Sequence, residues 1–304
     1  MVLPTILYGC EMWYNMTVKN IQILNKFQHF IVKRILDLKT STRSDMCQSI
    51  VGLHPIVSYI DKRKLFFLQK LCTLDDKYLT KKIFLVRLFS YCFGNEHKCN
   101  GYFSDIINIL FKYELHTYLV DFIMEGVFPT KETWKTIVHN VVDNVQSNDW
   151  KIRISSDNDF KRFRNIQHEV RIAKFWKLSK SITDIKNSYF ITKLLTEVPS
   201  NTQDVCAVCH RVYIDVYVHA CCNCFGTWQI QDAWWDTVID NFPVELFNEL
   251  YSKDEEELYQ ILLGSEFECR EMVDYDNFLS LCHTHVIQCL AHYNRIIRYG
   301  DFYD

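Results

Sequence analysis

A chain of 304 residues, 48% hydrophobic and 15% aromatic, has ample material for a packed core and is long enough for one large domain or two to three ordinary ones. Only 8 glycines and 5 prolines argue against a turn-rich β-sandwich; no run of eighteen apolar residues marks a membrane span, and MVLPTILYGCEMW lacks the basic start and small-residue cleavage site of a secretion signal. The net charge of −3 conceals an asymmetry, with 14 Lys+Arg against 6 Asp+Glu in residues 1–95, 15 against 13 in 96–200, and 5 against 18 in 201–304.

Residues 1–14 read as an apolar extended or turn segment punctuated by Tyr8-Gly9. Thr17 is placed to cap a helix reaching about Lys39, with Ile21, Leu24, Phe27, Ile31, Ile35 and Leu38 forming one buried stripe. A short helix from Ser44 closes at Gly52, and Pro55 opens another to about Leu74 that carries the basic cluster Lys62-Arg63-Lys64. Residues 78–92 make a further amphipathic helix, and the polar insert 94–101 is the first candidate boundary. Helices follow at about 102–113, 115–125 and 130–146, then a connector over 146–159.

From Phe160 to Lys180 the pattern predicts one basic helix, in which Phe160, Phe163, Phe175 and Trp176 alternate with Lys161, Arg162, Arg164 and further cations. Such rings are core in most helices, and interleaved with cations they also suit base stacking. A helix at 184–196 precedes VPSNTQD; beyond Trp228, residues 229–240 and 244–262 read as helical, with Asp254 to Glu257 an exposed acidic run. In 266–299, Cys282, His285 and Cys289 share a helical face, which reads as core or as a second ligand set.

Thirteen cysteines over this length are too sparse for a disulfide scaffold, and a reducing cytoplasmic or nuclear setting is expected rather than secretion. Five of them fall between Val205 and Trp228 with two of the eleven histidines. A tetrahedral zinc site needs a C-x-x-C turn and two more nitrogen or sulfur ligands a short loop away. Cys206, Cys209, His219 and Cys224 supply C-x2-C-x9-H-x4-C; Cys206, Cys209, Cys221 and Cys224 supply C-x2-C-x11-C-x2-C. Either set makes a closed, structural zinc site, and buried free thiols are the alternative.

Three stretches share a pattern. The first runs Ile6-Leu7-Tyr8-Gly9-Cys10-Glu11-Met12-Trp13, Phe27-Gln28 and Lys33-Arg34-Ile35-Leu36. The second runs Thr42-Arg43, Gly52-Leu53-His54-Pro55-Ile56, Ile60, Arg63, Leu65 and Phe67, and the third is Cys206, Cys209, His219 and Cys224. Together they resemble the region downstream of the polymerase core in LINE-type (non-LTR) retrotransposon reverse transcriptases. The resemblance is strongest over 6–67, returns at 204–228 and is weaker between. It implies a distal CCHC zinc knuckle, and it favours His219 over Cys221 as the fourth ligand. It also implies contact with template RNA or target DNA, here through Lys19, Lys26, Lys33, Arg34, Lys62, Arg63, Lys64, Lys161, Arg162 and Arg164.

Polymerase chemistry needs carboxylates that hold two metal ions, carried in this family on an aromatic-x-Asp-Asp hairpin. The pair Asp75-Asp76 lacks the flanking strands and the aromatic, and reads as a turn and cap. No G-x-S-x-G, H-E-x-x-H, P-loop or G-x-G-x-x-G is present. The expectation is therefore a mainly α, multi-helix array without enzymatic activity, membrane contact or small-molecule substrate. Its regions are a basic helical 1–95, a helical connector 96–200, a zinc-knuckle module 201–228 and an acidic helical tail 229–304. The acidity of that tail, and of Asp204 and Asp215 in the knuckle, suits the alternative role, a protein-interaction fragment that binds no nucleic acid.

Overall fold

The computed structural model describes residues 3–14, 16–94, 101–197 and 202–299. Among them are sixteen helices and one two-stranded ribbon, the mainly α array that the periodicity predicts. The first eight are α1 (Leu3–Ile6), α2 (Val18–Ile35), α3 (Ser44–Ile50), α4 (Ile56–Thr73), α5 (Leu79–Phe93), α6 (Tyr102–Lys112), α7 (His116–Glu125) and α8 (Lys131–Ser155). Then come α9 (Lys161–Ile166), α10 (Lys174–Leu178), α11 (Ile182–Thr196), the ribbon β1 (Asp204–Val205) and β2 (Val212–Tyr213), and α12 (Val216–Cys222). The last four are α13 (Trp228–Asn241), α14 (Val244–Ser252), α15 (Glu255–Leu262) and α16 (Tyr275–Tyr299). No helix of the described residues is long and apolar enough to cross a membrane.

Backbone packing divides the chain into two units, Met1–Ile31 with His54–Trp150, and Val32–Leu53 with Lys151–Asp304. The boundaries expected near 95 and 200 fall outside the described residues.

The first unit is built around α4. Pro55 precedes its first residue, where a missing N–H costs nothing. Leu65, Leu68, Leu71 and Cys72 enter a core with Phe84 and Leu88 of α5, Ile106 and Leu110 of α6, and Trp134, Val138 and Val142 of α8. Full burial of each large side chain contributes about 1.5–3 kcal/mol. The Trp134 indole N–H donates to the carbonyl of Leu65 at 2.9 Å, so the largest ring enters without an unmet donor. At the other end of α4, Ile56 and Ile60 pack with Leu7 and Cys10.

Polar residues of α4 are buried as well. Asp61 accepts from Lys112 at 2.8 Å and from the Tyr113 hydroxyl at 2.9 Å. Lys62 pairs with Asp143 at 2.6 Å, and Lys64 pairs with Asp105. Asp75 accepts the backbone N–H of Lys77 at 2.9 Å in the turn after α4, the local role expected for it.

The second unit is built around α16. Phe278, Cys282, His285, Cys289, Tyr293 and Ile296 recur every three or four residues and are all buried. Helices α11, α12, α13 and α15 pack on it. A smaller cluster joins Val32, Leu36 and Cys47. Gly52, with φ +67°, closes α3 where a Cβ would meet the Ile172 backbone nitrogen at 2.8 Å; only glycine fits that approach.

Four local expectations are corrected. Along α2 and the turn after it the fully buried residues are Gln28, Val32 and Leu36; Leu24 and Leu38 of the expected stripe pack against buried clusters, but Phe27 is 45% and Ile35 58% exposed. Helix α8 continues to Ser155 through the stretch read as a connector, because Trp134, Val138, Val142, Gln146, Trp150 and Ile154 form one unbroken buried i+4 row. The 160–180 segment is two short helices, not one. Gln167 breaks it by donating its side-chain amide to the carbonyls of Glu169 and Arg171 at 2.7 and 2.8 Å, and Ala173 N–H bonds the carbonyl of Ile50 at 2.8 Å. The acidic run splits 244–262 into α14 and α15, since Asp254 accepts the N–H of Glu257 at 2.8 Å as an N-cap.

Candidate metal centre

The segment 204–224 folds into a hairpin, a short helix and a return. The ribbon pairs Val205 with Val212, and the turn between them closes when Cys206 N–H bonds the carbonyl of Arg211 and His210 N–H bonds that of Cys206, both at 2.9 Å. His210 takes the left-handed φ of +59° that this turn requires. The backbone N–H groups of Val208 and Cys209 point at Cys206 Sγ, at 3.3 and 3.5 Å. Asp215 then starts α12 by accepting from Tyr217 N–H at 2.7 Å and Val218 N–H at 3.3 Å. One turn later the helix presents His219, and Cys224 N–H returns to the His219 carbonyl at 2.8 Å.

These elements bring Cys206 Sγ, Cys209 Sγ, His219 and Cys224 Sγ to within 4.8 Å of one another, a group that can hold a metal ion. Cys206 and Cys224 sulfurs are 3.8 Å apart, and Cys209 Sγ lies 3.3 Å from His219 Nε2. Zinc–sulfur bonds of about 2.3 Å and zinc–nitrogen bonds of about 2.05 Å, set at tetrahedral angles, give sulfur–sulfur edges of about 3.8 Å and sulfur–nitrogen edges of about 3.6 Å. The sulfur–sulfur spacing matches a tetrahedral edge, and the sulfur–nitrogen spacing is about 0.3 Å shorter than one. Among the described residues no other group of histidine, cysteine and carboxylate side chains meets this condition, and all twelve described cysteines are free thiols.

The surroundings favour thiolate at one position. Burial acts to raise the Cys206 thiol, but the bonds from the Tyr293 hydroxyl and from the two N–H groups outweigh it and leave it lowered. Burial, with help from nearby Arg211, holds the His219 imidazole down and hence neutral, the form that ligates metal. Tyr213 stacks on that ring with centroids 5.1 Å apart. Cys221 points elsewhere: its sulfur lies 4.0 Å from the carbonyl of Val286, and burial pushes its thiol far up. Cys282, His285 and Cys289 are part of the buried face of α16, with His285 Nε2 3.1 Å from the carbonyl of Cys221.

The basic residues read as phosphate contacts divide into three sets. Lys19, Lys26, Arg34, Arg63 and Lys161 are exposed. Lys33 donates to the carbonyl of Thr40 at 2.8 Å and Arg164 to that of Ser155 at 3.3 Å. Lys62, Lys64 and Arg162 are buried and paired internally, which corrects the expectation for these three. Arg162 donates to both oxygens of Glu256 at 2.9 and 2.8 Å, pairs with Asp215 at 2.9 Å and lies over the Tyr259 ring. A cation held this way inside the fold is not offered to phosphate. The rings of 160–176 take the core reading rather than base stacking: Phe160, Phe163 and Phe175 are buried, and the Trp176 indole bonds Thr192 at 3.1 Å.

Two residues of the centre were given no structural role from the sequence. Asp215 caps α12 and receives Arg162, and an acidic residue just before an apolar helix is a legible cap signal. Tyr293, 87 residues from Cys206, has no local signal at all.

Comparison with protein-family models, with curated proteins and with solved structures gives no match.

Proposed function

We propose that this chain is a non-catalytic, zinc-binding region from the C-terminal part of a LINE-type reverse transcriptase, and that it contacts template RNA or target DNA. The observation that carries the zinc assignment is the convergence of the ligand atoms of Cys206, Cys209, His219 and Cys224 to within 4.8 Å of one another. Four protein ligands leave no open coordination position, so the ion is structural: it fixes a segment whose own strands are only two residues long. The family assignment rests on the motif order across 6–67 and 204–224. Nucleic acid would be held by neutralisation of phosphates at exposed Lys19, Lys26 and Arg63 in the first unit, and at Arg34 and Lys161 in the second.

A second reading is favoured by the internal pairing of Lys62, Lys64 and Arg162 together with the 18 acidic against 5 basic residues of 201–304. It is a region that binds protein and no nucleic acid. One set of measurements separates the two. Purified chain should contain one zinc ion, lost in Cys206→Ser/Cys209→Ser and in His219→Ala and kept in Cys221→Ser; zinc retained by the double variant sinks the metal assignment. Anisotropy titrations with single-stranded RNA should show affinity falling with salt. Lys19→Glu/Lys26→Glu/Arg63→Glu should flatten the log–log salt slope by about 2, as expected for three lost phosphate contacts. A folded, zinc-loaded chain that binds no RNA or DNA at low salt leaves the protein-binding role standing.

A further inference from the structure

Helix α16 meets the metal-ligand segment along one face. His285 reaches the Cys221 carbonyl, and two turns on the Tyr293 hydroxyl lies 3.4 Å from Cys206 Sγ. One turn further, Ile296 closes over Gly226, where an added Cβ would come within 3.3 Å of Ile296 Cδ1 and 2.6 Å of Val208 Cγ1. The Tyr293 ring also stands edge-on to His219, with centroids 6.4 Å apart. Both Tyr293 and Cys206 are buried, so water does not compete for either group.

The chemistry of the donor set explains what a hydroxyl does there. Three thiolates and a neutral imidazole around a divalent ion leave one net negative charge. In a dry site that charge is stabilised only by donors aimed at the sulfurs. Cys206 receives two backbone N–H groups from its own turn; the third contact comes from a side chain 87 residues away, and a phenol can give its proton to a thiolate that has none to give back.

We infer that Tyr293 is a positioning residue for the metal centre, its hydroxyl donating to the Cys206 thiolate and so setting both the metal affinity and the electron donation of that sulfur. This rests on the reading that the four residues hold a metal ion. It gives the centre a long-range dependence: α16 must be docked for the site to reach full affinity.

Cobalt(II) substitution in the full chain tests it, because sulfur-to-cobalt charge-transfer bands report the donor strength of the thiolates directly. Wild type should take up one cobalt ion per chain. Tyr293→Phe, which removes one oxygen atom, should still bind one ion, shift the charge-transfer band to lower energy and weaken binding about tenfold, as other contacts to metal ligands do. Tyr275→Phe is the control, since it removes a hydroxyl that bonds the Gly264 carbonyl at 3.0 Å; it should change neither band nor affinity. If Tyr293→Phe fails to fold, 3,5-difluorotyrosine at 293 keeps the hydroxyl as a stronger donor and should move the band the other way. An unshifted band and unchanged affinity in the foldable 293 variants overturn the role of Tyr293 while leaving the metal centre intact. Absence of metal uptake by folded wild type overturns the metal centre itself, and this inference with it.

Discussion

His283 sits on the buried side of α16 with its ring edge-on to Phe175, and its Nε2 has no hydrogen-bond partner. Burial pushes its pKa from 6.5 down to about 4. Between those values the unfolded chain carries a proton on this residue that the folded chain refuses. Stability therefore rises with pH across this window and falls as pH drops from 6.5 to about 4, by about 3 kcal/mol from this group alone. Urea unfolding at pH 7 and pH 4.5 should show His283→Phe losing less stability on acidification than wild type; an equal loss in both would assign the acid sensitivity to other groups. The sequence left this histidine unread, because a lone imidazole on an apolar helix has the same letter whether it is core or ligand. Cys206, Cys209, His219 and Cys224 were legible for the opposite reason: their relation is local, encoded in a turn and one helical segment. Their partner Tyr293 was not, since only the tertiary packing of α16 sets it beside Cys206.

At the scale of elements, composition misleads where a charged residue faces inward. Lys62-Arg63-Lys64 reads as one basic patch, yet on α4 consecutive residues point about 100° apart. Lys62 and Lys64 consequently enter the first unit to meet Asp143 and Asp105, and only Arg63 stays at the surface. Reversing a buried charge leaves two like charges where a pair stood, so Lys64→Glu should destabilise the chain by about 3–5 kcal/mol. Arg63→Glu should stay within about 0.5 kcal/mol. Thermal and urea unfolding of the two variants measure this directly, and equal effects would mean that the ion pairs of α4 add nothing to stability. The same geometry accounts for the other misread elements. Phe27 and Ile35 were wrongly placed on the buried stripe of α2 because they are as apolar as the Val32 and Leu36 that are buried. The end of α8 was missed because polar letters in QSNDWKIRIS hide Trp150 and Ile154, whose i+4 spacing continues the row from Trp134. Helix existence followed from periodicity; which face is covered followed only from what lies across from it.

On the scale of the whole chain, two cores draw on different chemistry. The first is apolar packing around α4, crossed by ion pairs. The second includes a segment with little regular structure of its own, where four side chains that can hold a metal ion converge and where Cys206, Cys221 and Gly226 meet α16. A metal that binds only the folded state stabilises it by RT ln(1 + [L]/Kd), about 4 kcal/mol at a thousandfold excess over Kd. For a metal at Cys206, Cys209, His219 and Cys224, all in the second unit, that stabilisation should appear there and not in the first. Amide hydrogen exchange with and without a zinc chelator resolves where it acts. Chelation should strip protection first from the 204–213 hairpin, then from α12 and the Tyr293 end of α16, because loss of the ion frees Cys206 and Cys209 of the hairpin from His219 and Cys224. Amides of α4, α6 and the Trp134 end of α8 should keep their rates, since their core contains none of the four ligands. Equal loss of protection in both units would show that the metal stabilises one cooperative structure instead. Exchange unchanged everywhere, with zinc demonstrably removed, would show that the hairpin and α16 hold together by packing alone.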